Sequence, residues 1–184
     1  MKRLLIAAVL TLTAAALSSQ AVAEVVDATP NGFEVKREAV FNAPADKVYA
    51  ALSQPSRWWN KNHTWSGSAA NLSLAPMSGG CFCEKLPNGG SVVHMTVVFA
   101  QPSQGLRLSG ALGPLQMTGA TGNLGWALSE KDGKTSLVQT YDVDGYMKGG
   151  LDKLAPVVDT VLSKQFDRLK AYVETGSPEA GQAP

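Results

Sequence analysis

Hydrophobic and polar positions change their period three times along this chain. Residues 33–41, FEVKREAVF, alternate, so Phe33, Val35, Arg37, Ala39 and Phe41 share one face of a first predicted strand. In NAPADKVYAALSQ, Asn42 offers a cap, Pro44 suits a first helical turn, and Val48, Ala51 and Leu52 make a short apolar stripe. PSRWWNK follows as a second short helix or turn. From residue 64 to 143, glycine and proline cut the chain into strand-like pieces near 72–74, 80–86, 91–100, 106–112, 118–129 and 135–143. KDGK at 131–134 is a hairpin signal.

The period then becomes helical. Over residues 152–173, Leu154, Val158, Val161, Leu162, Leu169 and Val173 recur on one face, widened by Phe166 and Tyr172. Pro156 falls within the first turns, where a missing backbone donor costs least. This predicts an α+β fold. A curved antiparallel sheet of about six or seven strands wraps a long C-terminal helix, with two short helices after the first strand. Such a sheet can leave a cavity between helix and strands.

The N-terminus predicts export. Lys2 and Arg3 precede an apolar run over 4–17 and the small-residue signal Ala21-Val22-Ala23, the layout of a signal peptide cleaved after residue 23. The run is too short for a comfortable membrane span and no second one follows, so the expected product is periplasmic or secreted, with no stable membrane anchor. The domain reading is a signal peptide at 1–23, a flexible segment at 24–31, one domain at 32–175 and a disordered tail at 176–184. The full chain carries a formal charge of +1, and loss of Lys2 and Arg3 makes it −1. No basic surplus is left for nucleic acid.

Three segments carry a resemblance. VFNAPADKVYAALSQPSRWW (40–59), the stretch from GGCFCEKLPNGGSVVHMT to GPLQ (79–116), and GGLDKLAPVVDTVLSKQFDRLKAYVE (149–174) resemble the START-related helix-grip superfamily (SRPBCC). That group includes the birch-pollen-allergen fold, polyketide cyclases and chaperone-ATPase activators. The resemblance implies the helix-grip fold, with the last segment as the gripping helix. Its members are carriers, cyclases, hydrolases or regulatory partners, and no single catalytic constellation runs through them, so it assigns no catalytic residue and no cofactor.

Candidate chemistry centres on residues 78–96, which hold both cysteines and one of the two histidines. A hairpin turning at PNGG sets Cys81 opposite Thr96, Phe82 opposite Met95, Cys83 opposite His94, Glu84 opposite Val93 and Leu86 opposite Ser91. Alternation then puts Cys81, Cys83 and His94 on one face, and Phe82, Glu84, Val93, Met95 and Val97 on the other. Two thiols and an imidazole are a chemically sensible partial zinc or copper site, but no fourth ligand is evident and the paired C-x-x-C spacing is absent. A Cys81–Cys83 disulfide is the alternative in an oxidising compartment. Ideal strand geometry separates their α-carbons by about 6.5 Å, near the upper limit for a bridge.

Glu84 on an apolar face is a candidate general acid or base, with the alternative that a charge near the hairpin end reaches solvent or pairs with Lys85 or Lys36. His63 in NHTWSG is a second candidate, with the alternative of a structural or exposed loop histidine. Of Trp58 and Trp59, one ring is expected to plug the core and the other to line a cavity mouth. The expected lining is Trp58, Trp59, Phe82, Met95, Leu108, Trp126, Val158 and Leu162. The reading that follows is a binding or carrier domain for a hydrophobic or aromatic small molecule. An acid–base enzyme using Glu84 or His63, and a metal or redox site at Cys81, Cys83 and His94, are its alternatives. No protein partner is indicated.

Overall fold

A computed structural model describes residues 22–180. The expected signal peptide lies almost entirely outside the described residues, as does the end of the tail. Eight strands form one antiparallel sheet: β1 (Val22–Thr29), β2 (Gly32–Phe41), β3 (Leu72–Leu74), β4 (Cys81–Lys85), β5 (Ser91–Gln101), β6 (Gly105–Gly110), β7 (Gly119–Lys131) and β8 (Lys134–Tyr146). Helices α1 (Ala45–Leu52) and α2 (Pro55–Trp58) follow β2, and α3 (Ala155–Thr175) closes the chain. The spatial order is β1-β2-β8-β7-β6-β5-β4-β3. Strands β3 to β8 make the meander expected from their spacing, β2 pairs beside β8, and β1 forms the edge beyond it.

Two boundaries differ from the sequence reading. Residues 24–31, expected to be flexible, lie mostly in β1, which pairs with β2 through a bulge near Val25. Their weak period reflects an edge strand whose side chains are mostly exposed. Near the other end, Glu179 pairs with the Arg168 guanidinium at 2.7 Å, which ties part of the expected tail to α3.

The β7–β8 hairpin turns at Asp132 and Gly133, both with positive φ (53° and 70°). This is the primed turn whose twist matches the flanking strands. The inward faces of both strands alternate strictly, burying Leu124, Trp126 and Leu128 from one and Leu137, Tyr141 and Val143 from the other.

Helix α3 lies on this concave face. Its stripe buries Leu162, Phe166 and Leu169, and Phe166 meets Phe41 edge-on at 5.6 Å. Arg37, on the inner face of β2 as expected, passes over the Phe166 ring and pairs with Asp167 at 2.6 Å. Two polar residues also lie on the buried side. Gln165 accepts from the Asn60 backbone at 2.8 Å, and Arg168 Nε donates to the Trp58 carbonyl at 2.7 Å. The helix thereby fixes α2 and the loop after it by hydrogen bonds as well as by packing.

The β4–β5 pairing departs from the expected register. Cys81 faces Thr96 and Phe82 faces Met95, as expected, but Cys83 faces Val93 and Glu84 faces Val92. One extra residue, His94, is bulged out of β5. Cys81 and Cys83 form a disulfide with α-carbons 5.4 Å apart, shorter than the roughly 6.5 Å of two regular strand residues. The contraction of β4 lies beside this extra residue of β5, which the pairing accommodates as a bulge. The consequence is a change of face. His94 and Met95 are both buried, and Val93, expected inside, is 60% exposed.

Truncating the residue that joins α3 to the sheet tests this packing. Phe166→Ala is expected to lower stability by about 3–5 kcal/mol, read as a drop in the urea midpoint with an unchanged denaturant slope.

Candidate functional site

A cavity of about 320 Å³ lies between the sheet, α3 and the loops beside α2 and β6. Its walls include Trp59, Leu72, Phe82, Leu115, Val158 and Leu162. Trp59 is held there because its indole N–H donates to the His63 carbonyl at 2.9 Å. Trp58 turns the other way, donates to the Ala51 carbonyl at 2.8 Å and fills the core. One ring thus plugs and the other lines.

Of the residues expected to line a cavity, Trp59, Phe82, Val158 and Leu162 do so. Trp58, Met95, Leu108 and Trp126 are buried elsewhere in the core and are not on its wall. Trp126 is committed to Gln139, which accepts its indole N–H at 2.9 Å. Residues 112–115 form another wall, held by Tyr141, whose hydroxyl accepts from the Leu112 backbone N–H at 3.2 Å. Gly122 makes room for that ring. A β-carbon there would stand 2.8 Å from the Tyr141 ring edge and 2.5 Å from the Asp142 carbonyl.

The polar centre beside the cavity is Glu84 with His94. Glu84 is 1% exposed. Its carboxylate accepts from the backbone N–H groups of Trp65 at 3.1 Å and Ser66 at 2.5 Å, and meets His94 Nε2 at 2.9 Å. Burial by itself would raise its pKa. The hydrogen bonds from Ser66, Trp65 and His94 outweigh that and leave it below the ordinary value. Burial pushes the His94 pKa down, only partly countered by Glu84. The favoured state at neutral pH is a carboxylate beside a neutral imidazole. Nε2–H donates to Glu84, which makes Nδ1 the acceptor nitrogen.

His94 lines the cavity and stacks beside Phe82 at 5.0 Å, and Phe82 in turn meets Trp59 at 5.5 Å. An aromatic series therefore runs from α2 to the bulge. His63, the other acid–base candidate, is exposed on the cavity rim and pairs with no carboxylate among the described residues, and partial burial and the Lys164 charge lower its pKa. The expected grouping of Cys81, Cys83 and His94 is corrected by the bulge. The sulfurs are joined on the outer face of β4, and the imidazole faces inward to Glu84. Among the described residues no group of three histidine, cysteine or acidic side chains is placed to hold a metal ion.

The sequence reading missed His94 as an inner residue and Tyr141 as a wall residue. Tyr141 was legible, because it stands in phase with Leu137 and Val143. His94 was not, because alternation cannot foresee a bulge.

Comparison with known proteins gives a consistent picture. Residues 32–174 match the family described as polyketide cyclase / dehydrase and lipid transport. No curated protein matches. Among solved structures, CalU16 from Micromonospora echinospora is 15% identical over 85% of each chain, with a TM-score of 0.53. A conserved protein of unknown function from Enterococcus faecalis is 14% identical over 89% of this chain and 83% of its own, with a TM-score of 0.58. The Aha1 dimer from Colwellia psychrerythraea is 17% identical over 78% of this chain and 97% of its own, with a TM-score of 0.56. At these identities the likeness is one of fold.

The two shifts make a signed prediction. Folded Glu84 and folded His94 each bind a proton less readily than their unfolded forms, so stability rises with pH where the unfolded chain is the more protonated. His94 should cost stability as pH falls below its ordinary 6.5, and Glu84 as it falls below its ordinary 4.5. Urea denaturation across this range should show both losses, and Glu84→Gln should remove the lower one.

Proposed function

Since this chain belongs to the polyketide cyclase / dehydrase and lipid transport family, of the helix-grip superfamily, we propose that it binds a hydrophobic or aromatic small molecule in the cavity under α3. The observation that carries this reading is the cavity itself: about 320 Å³, walled by Trp59, Phe82, Val158 and Leu162. That volume lies within the usual range for small-molecule sites, and aromatic walls favour flat apolar guests. We propose further that the protein acts as an exported carrier in the periplasm. The support is the basic start, the apolar run over 4–17 and the Ala21-Val22-Ala23 signal.

A carrier suits the site better than the two enzyme readings drawn from the sequence. Glu84 is almost sealed from solvent and engaged by three donors, so it supports other groups rather than touching a guest. His63 sits at the rim and lacks an orienting partner.

Native mass spectrometry of the protein from a periplasmic fraction should show a chain beginning at Glu24, with an organic adduct released on denaturation. A chain retaining residues 1–23 would contradict export. Val158→Trp should fill the cavity and weaken uptake of the dye phenylnaphthylamine by at least about tenfold. Wild-type protein that takes up neither this dye nor any organic adduct would remove the binding reading.

A further inference from the structure

His94 is a buried histidine with one committed nitrogen. Nε2 is spent on Glu84 at 2.9 Å. Nδ1 makes no hydrogen bond to the described residues, whereas Arg37, Tyr49 and Gln165 are the side chains with sealed polar atoms that lack a partner. Nδ1 is therefore an open acceptor on a ring that is 7% exposed and borders both the cavity and a shallower pocket between β5 and β6. Three features fix the ring. The bulge turns the ring inward, Phe82 stacks beside it at 5.0 Å, and the Glu84 carboxylate holds the tautomer. Glu84 is itself fixed by Trp65 and Ser66.

We propose that His94 Nδ1 accepts a hydrogen bond from a hydroxyl of the guest, so that the cavity selects a hydroxylated aromatic or alicyclic molecule over its hydroxyl-free analogues. Glu84 is the positioning residue, and Phe82 and Trp59 form the stacking wall. This rests on the cavity-binding reading. It adds the chemical class of the guest and the atom that reads it.

Three probes of similar shape separate the two claims: naphthol, methoxynaphthalene, which keeps the oxygen but loses the donor, and naphthalene. Wild-type protein should bind naphthol about tenfold more tightly than methoxynaphthalene, the worth of one oriented hydrogen bond in a dry site. In His94→Phe the gap should close. Should that variant fail to fold, nitrogen NMR of the wild-type imidazole gives an independent reading. Nε2 should be protonated and Nδ1 bare, and Nδ1 should move with naphthol and stay put with naphthalene. Equal affinity for naphthol and methoxynaphthalene would overturn the proposal and leave the cavity reading standing. So would a protonated Nδ1. Failure of all three probes to bind would overturn both.

Discussion

A carboxylate buried to 1% exposure needs donors around it, and Glu84, on β4, finds them on two other pieces of chain. The loop at Trp65 and Ser66 supplies backbone N–H groups, β5 supplies His94, and β4 supplies the carboxylate itself. Without these bonds the desolvation of the charge would expel the side chain or protonate it. Satisfying Glu84 thus pins a loop that carries Trp65, a residue of the cavity wall, to the inner face of the sheet. Loop, bulge and cavity wall are consequences of one electrostatic requirement.

The bulge at His94 is what allows the requirement to be met. In a regular pairing His94 would face outward with the two sulfurs, and the nearest inner groups would be the apolar Val93 and Met95. Contraction of β4 across Cys81 and Cys83 accompanies the extra residue in β5, and the ring is carried to the inside. The disulfide thus has a place in the architecture of the site although it lies on the other face. Two features that look unrelated in the chain, a C-x-C pair and a strand histidine, are coupled through the register of one hairpin.

That hairpin also marks how far the sequence could be read. Alternation located β2, glycine and proline breaks located the later strands, and the 3.6 period located α3. Pairing at Cys81–Thr96 and Phe82–Met95 was legible from turn position. Pairing beyond Phe82 was not, since a bulge is a tertiary compromise with no local signature. Gln165 and Arg168 escaped notice because polar residues within an apolar stripe look solvent-facing, yet their partners are backbone groups near α2, over 100 residues away. Residues 24–31 look unstructured because an exposed edge strand has little to bury. For the cavity, residue type suggested aromatic walls, and the placement of Trp59 rather than Trp58 followed from hydrogen bonds that only the fold reveals.

The family and its fold leave the chemistry open, since one scaffold of this kind supports many functions. What distinguishes this chain is the contrast between its wall and its polar centre. Trp59, Phe82, Val158 and Leu162 offer no hydrogen bond to a guest through their side chains, so they discriminate by shape and by apolar area. Such a wall separates molecules differing by a methylene only weakly, whereas a buried acceptor left unpaired penalises the wrong guest strongly. His94 is placed to supply that penalty, because its ring is neutral, oriented and shielded from most water. The same neutrality limits it. Protonation would turn Nδ1 from acceptor to donor, so the site keeps one sense of recognition only while burial holds the imidazole uncharged. The low proton affinity that makes the fold sensitive to acid is thus the property that gives the cavity a defined polarity.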